Sequence, residues 1–318
     1  MVCEKDFLGR DIISINDFSR EELEYLFWQT DKIKQNPSKF AHSLDGKIIV
    51  PLFFENSTRT DLSFQMAITK LGGRFLDFDI STSSINKGET LRDTIKTIER
   101  YEPDAFVLRH RQDGSAQFVA DLTNVPVINA GDGKNEHPTQ TILDLYTIRE
   151  LRGKIDGLNI AIAGDLKYGR TTHSLVSALS NYNNCNVHLF SPDFLKFPKE
   201  KILEHQDLIQ ISEHGLSELE EVIRGCDVLY MTRIQRERFP EGFDGEQEYK
   251  KIVKSYHLIP EMLKKVSSNF KIMHPLPRVE EIDVRVDKTL YAHYFEEAGN
   301  GMWTRMAELY LIVGGKNE

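Results

Sequence analysis

The chain has 318 residues and a net charge of −9, with 40% of its residues hydrophobic and 28% charged. That length exceeds one typical core and predicts two domains, and the balance is too apolar for a disordered chain. The acidic surplus excludes a broad electrostatic grip on nucleic acid or an anionic membrane, so any bound anion has to be met by a local cluster of donors.

Cys3, Cys185 and Cys226 are scattered and lack metal-ligand spacing, which predicts reduced thiols and no metal centre. The opening "MVCEKDFLGRDIISI" lacks the unbroken apolar stretch of a signal peptide, and no run of about 18 apolar residues follows. A cytoplasmic protein is expected.

In chain order, "GKIIVPLFF" (46–54), "GRFLDFD" (73–79), "DAFVLRH" (104–110) and "VPVINAG" (125–131) are short β-rich runs. Helical-period segments lie between them; in "RTDLSFQMAITKLG" the residues Leu62, Met66 and Ile68 or Leu71 are expected to lie roughly on one face. "HPTQTILDLYTIRELRG" (137–153) carries Ile142, Leu143, Leu145, Tyr146 and Ile148 at helical spacing and stops at Gly153, predicting a linking helix.

A second series follows: "LNIAIAGDL" (158–166), "NVHLFSPD" (186–193), "DVLYMTR" (227–233) and "FKIMHPLP" (270–277). "GNGMWTRMAELYLIV" (299–313) reads as an amphipathic helix whose pattern suits either half of the chain. Strands alternating with helices imply parallel sheets covered on both faces. The expected fold class is therefore α/β: two doubly wound domains, each with a central, mainly parallel sheet, linked by interdomain helices. The expected boundaries are 1–136, 137–290 with the linking helix at 137–153, and a C-terminal helical segment, 291–318, returning to the first domain.

In such sheets ligands bind beyond the carboxyl ends of the strands, where loops lead into helix N-termini that favour anions. "ENSTRT" (55–60) stands at that position, with Ser57, Thr58 and Thr60 as hydroxyl donors and Arg59 as a planar fork suited to phosphate. On the turn alone, a phosphate cradle and an N-cap formed by Asn56 or Ser57 are equally supported. Arg109 and His110 after "AFVL", and His137 and Gln140 after "VPVINA", favour the cradle, because three strand ends of one sheet then carry such groups. In the second series, Lys167 and Arg170 follow one strand and Arg233 and Gln235 another, predicting a carboxylate between Arg170 and Arg233. Arg236 and Arg238 are expected to pair with Glu237 or Glu241 as a solvated charge run.

"STRT", "RH", "HPTQ", "GDLKYGRTTHS", "MTRIQRERF" and "HPLPR", in this order and at these intervals, resemble the catalytic chains of the aspartate carbamoyltransferase family over about residues 8 to 313. The resemblance implies carbamoyl transfer from carbamoyl phosphate to L-aspartate, an early step of pyrimidine synthesis, with no metal or organic cofactor. It implies a carbamoyl-phosphate domain followed by an aspartate domain. Ser57, Thr58, Arg59, Thr60 and Arg109 would hold the phosphate. Thr60, Arg109 and His137 would lie near the carbamoyl oxygen, Gln140 near its nitrogen, and the backbone of Leu276 and Pro277 along the group. Arg170, Arg233 and Gln235 would hold the two carboxylates of aspartate.

Ser83 and Lys87, in "STSSINKGET", match positions that reach into a neighbouring subunit's site, so a homotrimer with shared sites is expected. The resemblance leaves room for regulatory chains. "HPLP" and Lys87 favour aspartate over ornithine, whose enzymes carry "HCLP" and lack this lysine; the remaining alternative is a non-catalytic paralogue. Asp61, where many relatives place Arg, is expected to point outward as a first-turn acid, and Arg111 stands where several have Pro. The stretch 238–251 reads equally as a loop closing over the second substrate or as a plain connection.

Overall fold

The computed structural model describes residues 2–80, 83–234, 249, 252 and 256–314. The chain divides into two units, Met1–Tyr146 with Gly299–Glu318, and Thr147–Ala298.

The first unit opens with α1 (Arg20–Gln35), whose Ser19 and Glu22 satisfy each other's backbone N–H groups as a capping box. There follow β1 (Ile48–Phe53), α2 (Arg59–Lys70), β2 (Arg74–Phe75), α3 (Leu91–Glu99), β3 (Ala105–His110), α4 (Ser115–Ala120), β4 (Val127–Asp132) and α5 (Pro138–Arg152). The four strands pair in parallel in the order β2-β1-β3-β4. One face of this sheet packs Val50, Leu52, Phe106, Leu108 and Val127 against Ile95, Ala116 and Val119 of the flanking helices.

The second unit contains β5 (Asn159–Ala163), α6 (Arg170–Leu179), β6 (Asn186–Phe190), α7 (Lys199–His205), β7 (Gln210–His214), α8 (Leu219–Val222), β8 (Val228–Met231), β9 (Lys271–Met273) and the start of α9 (Tyr294–Val313). Its parallel strands run β7-β6-β5-β8-β9. Ala161, Ala163, Leu229, Met231 and Ile272 join Phe190, Tyr256 and Phe270 in its core. Both α5 and α9 begin in one unit and end in the other.

Both strand orders contain a reversal, between β1 and β3 in one sheet and between β5 and β8 in the other. Crevices at such points are where open α/β sheets receive ligands. Register brings these ends level: Phe53 pairs with Arg109, His110 with Asp132, and Ala163 with Met231.

Three local expectations are corrected. The buried face of α2 is Thr60, Phe64, Ala67 and Ile68, with Leu71 just beyond, whereas Leu62 and Met66 are exposed. Two positions along a helix turn a side chain through about 200°, so Leu62 and Met66 point away from Thr60 and Phe64. The run 73–79 forms a strand only at Arg74–Phe75. Finally, the second sheet has a further edge strand, β7, that apolar runs do not reveal. "QISEH" holds one apolar residue and joins β6 through parallel backbone pairing and through His214, whose ring stacks on Phe190 and lies 3.1 Å from His188 Nδ1.

Candidate active site

In the first unit, β1 ends at Phe53 and the chain enters α2 through Ser57 and Thr58. Thr58 occupies the N-cap position in a helical conformation, and no side chain caps the helix. The cap by Asn56 or Ser57 is therefore not formed, and the first-turn N–H groups are left for another acceptor. Arg59 is exposed and Thr60 buried.

Arg109 leaves the end of the neighbouring β3. Its Nη1 donates to the Ala130 carbonyl at 3.2 Å and its Nη2 to Glu55 Oε1 at 2.9 Å, while its Nε is buried without a hydrogen-bond partner. Arg59 reaches solvent yet is partly desolvated by its surroundings, and this desolvation, then the like charge of Arg109, push its guanidinium below its ordinary pKa. Two cations and a spare donor thus crowd one strand-end crevice against a single carboxylate. An anion would offset that repulsion and accept from the uncapped helix.

His137 follows β4. The turn before it is closed by Asp132, whose carboxylate accepts from Glu136 N and Gly114 N at 3.1 and 2.9 Å. Pro138 then opens α5, where its missing N–H costs nothing, and the His137 carbonyl accepts from Gln140 N at 2.9 Å. The His137 ring is buried, with Thr139 Oγ 3.4 Å from Nδ1. Gln140, one turn into the helix, is 9% exposed and donates to Asp144 at 2.8 Å.

Ser83 precedes a short 3-10 turn, Ser84–Lys87, and its hydroxyl donates to the Ile80 carbonyl at 2.9 Å. Lys87 is exposed, with no ion pair or hydrogen bond among the described residues. The structure therefore groups Arg59, Thr60, Arg109, His137 and Gln140 on successive strand ends, and Lys87 is on none of them.

In the second unit, β5 and β8 are neighbours, and the loops after them carry Arg170 and Arg233, both half-buried. Gly164 makes their close approach possible. A Cβ there would lie 2.2 Å from Thr232 Oγ and 2.4 Å from its carbonyl, at a φ of +137° that suits glycine. A Cβ on Gly169 would meet the Asp165 carbonyl at 2.4 Å, so this turn into α6 is equally tight. After β9, Leu276 has a φ of +53° and a cis bond to Pro277. His274, buried behind them, accepts from Leu276 N at 2.7 Å with Nδ1, and its Nε2 lies 2.7 Å from Glu281. Burial opposes ionisation of Glu281, yet the hydrogen bond and charge of His274 outweigh it and hold the carboxyl below its ordinary pKa. Gln235 and the stretch 238–251, apart from Tyr249, lie outside the described residues, as do Arg236 and Arg238.

Two family models match end to end: the carbamoyl-phosphate-binding domain of aspartate/ornithine carbamoyltransferase over residues 10–150, and its aspartate/ornithine-binding domain over 156–312. The chain belongs to the aspartate/ornithine carbamoyltransferase family. It is 48% identical to the aspartate carbamoyltransferase catalytic subunit of Thermococcus kodakarensis over 97% of its own length and 98% of that protein. Among solved structures it resembles aspartate transcarbamoylase from Trypanosoma cruzi in complex with N-(phosphonacetyl)-L-aspartic acid, with a TM-score of 0.90 at 35% identity over 96% and 97% of the two chains. The same enzyme with carbamoyl aspartate and phosphate gives a TM-score of 0.87 at 35% identity over 96% of each chain.

Sequence reading within this carbamoyltransferase missed the groups behind the site. Glu55, the first residue of "ENSTRT", is the acid on Arg109. His274 was visible in "HPLPR" only as part of a motif, and its backing of Leu276 needs the fold. Asp144 and Arg305 gave no signal, because they meet across a long sequence separation. Asp61 is half-buried and accepts from Gln65 at 2.9 Å along its own helix; burial and then Asp77 push its carboxyl above the ordinary value. Among the described residues no helix is long and apolar enough to cross a membrane, and no three His, Cys, Asp or Glu side chains gather as a metal site.

Proposed function

We propose that this chain transfers the carbamoyl group of carbamoyl phosphate to the amino group of L-aspartate, giving N-carbamoyl-L-aspartate and phosphate. The observation that carries this reading is the pair of like charges Arg59 and Arg109 at adjacent strand ends, beside an uncapped helix N-terminus. Arg59, Arg109, Ser57, Thr58 and Thr60 take the phosphate. The first half of the chain accordingly carries carbamoyl phosphate and the second half aspartate, an order supported by the family models, which meet between residues 150 and 156.

The neutral amine attacks the carbonyl carbon, the carbonyl oxygen gains negative charge, and the C–O bond to phosphate breaks. Thr60, Arg109 and His137 donate to that oxygen, the charge change that oriented donors stabilise most. A Thr139 hydroxyl proton on Nδ1 of His137 leaves Nε2–H as the outward donor. The departing phosphate takes the amine's proton, so no nucleophilic side chain is required. Two arginines, Arg170 and Arg233, suit a dicarboxylate and not a diamine. Relatives whose names or bound ligands specify aspartate support the same choice.

A cyclic trimer with sites completed by Ser83 and Lys87 of a neighbour belongs to the same proposal, supported by the exposure of Lys87. A cytoplasmic place of action is supported by three free thiols. Wild-type chain is expected to carbamoylate aspartate, while Lys87→Ala and Arg59→Ala chains are each nearly inactive. Mixing the two under subunit exchange should restore up to about one quarter to one third of the activity, because some sites then draw both intact residues. Confirmed exchange without recovery would contradict sharing, and an inactive wild type would contradict the function.

A further inference from the structure

We propose that Asp144 is a positioning residue that fixes the Gln140 amide with Oε1 toward the substrate's NH2 group, and so selects a carbamoyl phosphate over an acyl phosphate. This rests on the carbamoyl-phosphate reading above. Gln140 and Asp144 stand one turn apart on α5, and Asp144 is fully buried. The hydrogen bond between them runs from Gln140 Nε2 to Asp144 Oδ1 at 2.8 Å.

An ionised carboxylate only accepts, so it dictates which end of the amide faces it. Arg305 of α9, 3% exposed, faces Asp144 as an opposite charge. Arg305 is itself pinned: Nη1 donates to Ser63 Oγ at 2.5 Å, and the guanidinium lies 5.0 Å over the Phe64 ring. The bond to Asp144 holds the Gln140 side chain and sets which end of its amide faces outward.

The chemistry of the site makes that flip matter. Arg59 and Arg109 can only donate, while Thr60 and His137 are needed as donors to the carbonyl oxygen. The carbamoyl NH2 is also a donor and requires an acceptor among them. Oε1 of an oriented Gln140 is that acceptor. Acetyl phosphate has the same charge and nearly the same shape, with a methyl group in place of NH2, and gains nothing from Oε1. Sites that bond a polar group reject analogues lacking it, whereas a misoriented amide would repel the NH2 group.

The test is calorimetric titration of the intact chain, wild type and Asp144→Asn, with carbamoyl phosphate, acetyl phosphate and inorganic phosphate at low temperature. The carboxamide introduced by Asp144→Asn both accepts and donates, so the Gln140 amide is free to turn. The Kd for carbamoyl phosphate is expected to rise about 2-fold, because a freely turning amide presents Oε1 about half the time, with the other two unchanged. Equal weakening of all three would show a merely structural role and overturn the proposal, as would no change in any. A wild type that binds none of them overturns the carbamoyl-phosphate reading and this proposal with it; one that binds all three equally overturns this proposal alone. Should Asp144→Asn fail to fold because Arg305 loses its counter-charge, Asp144→Asn with Arg305→Met removes both charges. The same selective loss is then expected, and its absence overturns the proposal.

Discussion

Replacing His137 by alanine is expected to lower kcat for aspartate carbamoylation by about 10²- to 10³-fold, the usual effect of removing one donor to a developing oxyanion. The affinity for inorganic phosphate should stay within about 2-fold, because the phosphate is assigned to Arg59, Arg109 and the start of α2 while the ring is assigned to the carbonyl oxygen. The buried ring lies after β4, its backbone carbonyl already engaged by Gln140 and Thr141 of α5, so truncation leaves the entry to that helix intact. Steady-state kinetics with phosphate inhibition separates the two quantities. Unchanged turnover would remove His137 from the catalytic set, and a parallel loss of phosphate affinity would place it on the phosphate instead.

The second large effect concerns stability. Glu308 on α9 is fully buried, and neither carboxylate oxygen has a hydrogen-bond partner. Burial, opposed only by Arg305, raises its pKa from 4.5 to about 8. Between those two values the folded chain retains a proton that the unfolded chain releases, so stability falls as pH rises through this window and stays lowered above it. At 1.36 kcal/mol per pKa unit the cost is about 3 kcal/mol at pH 7. Glu308→Gln keeps the shape and removes the ionisation. It should leave stability at pH 5 nearly unchanged and raise it by about 2–4 kcal/mol at pH 8.5, an increase in melting temperature of roughly 5–10 °C. Melting curves of wild type and variant that run parallel from pH 5 to 8.5 would contradict an ionisable, buried Glu308.

The outline of the site was legible from sequence because its parts sit at strand ends, and strand ends are marked locally. An apolar β-rich run followed by "STRT", "RH" or "HPTQ" places Arg59, Arg109 and His137 without any knowledge of contacts. Parallel pairing then brings those ends level. The face of α2 was misjudged because Leu62 and Met66 are apolar yet exposed, while Thr60, at the start of the same helix, is buried. Composition alone does not say which stripe meets the sheet. Strand β7 escaped because an edge strand is held by backbone bonds and needs few apolar side chains. Groups that sit behind the site were hidden for a different reason: Arg305 bonds Ser63 across 242 positions, and no local pattern announces such a meeting.

Product identification tests the central claim most directly. Purified chain is incubated with carbamoyl phosphate labelled at the carbonyl carbon and equal concentrations of L-aspartate and L-ornithine, and the labelled products are separated. N-carbamoyl-L-aspartate and phosphate should appear in equal amounts, with no labelled citrulline. Citrulline as the main product, or phosphate released without a carbamoylated amino acid, would contradict it.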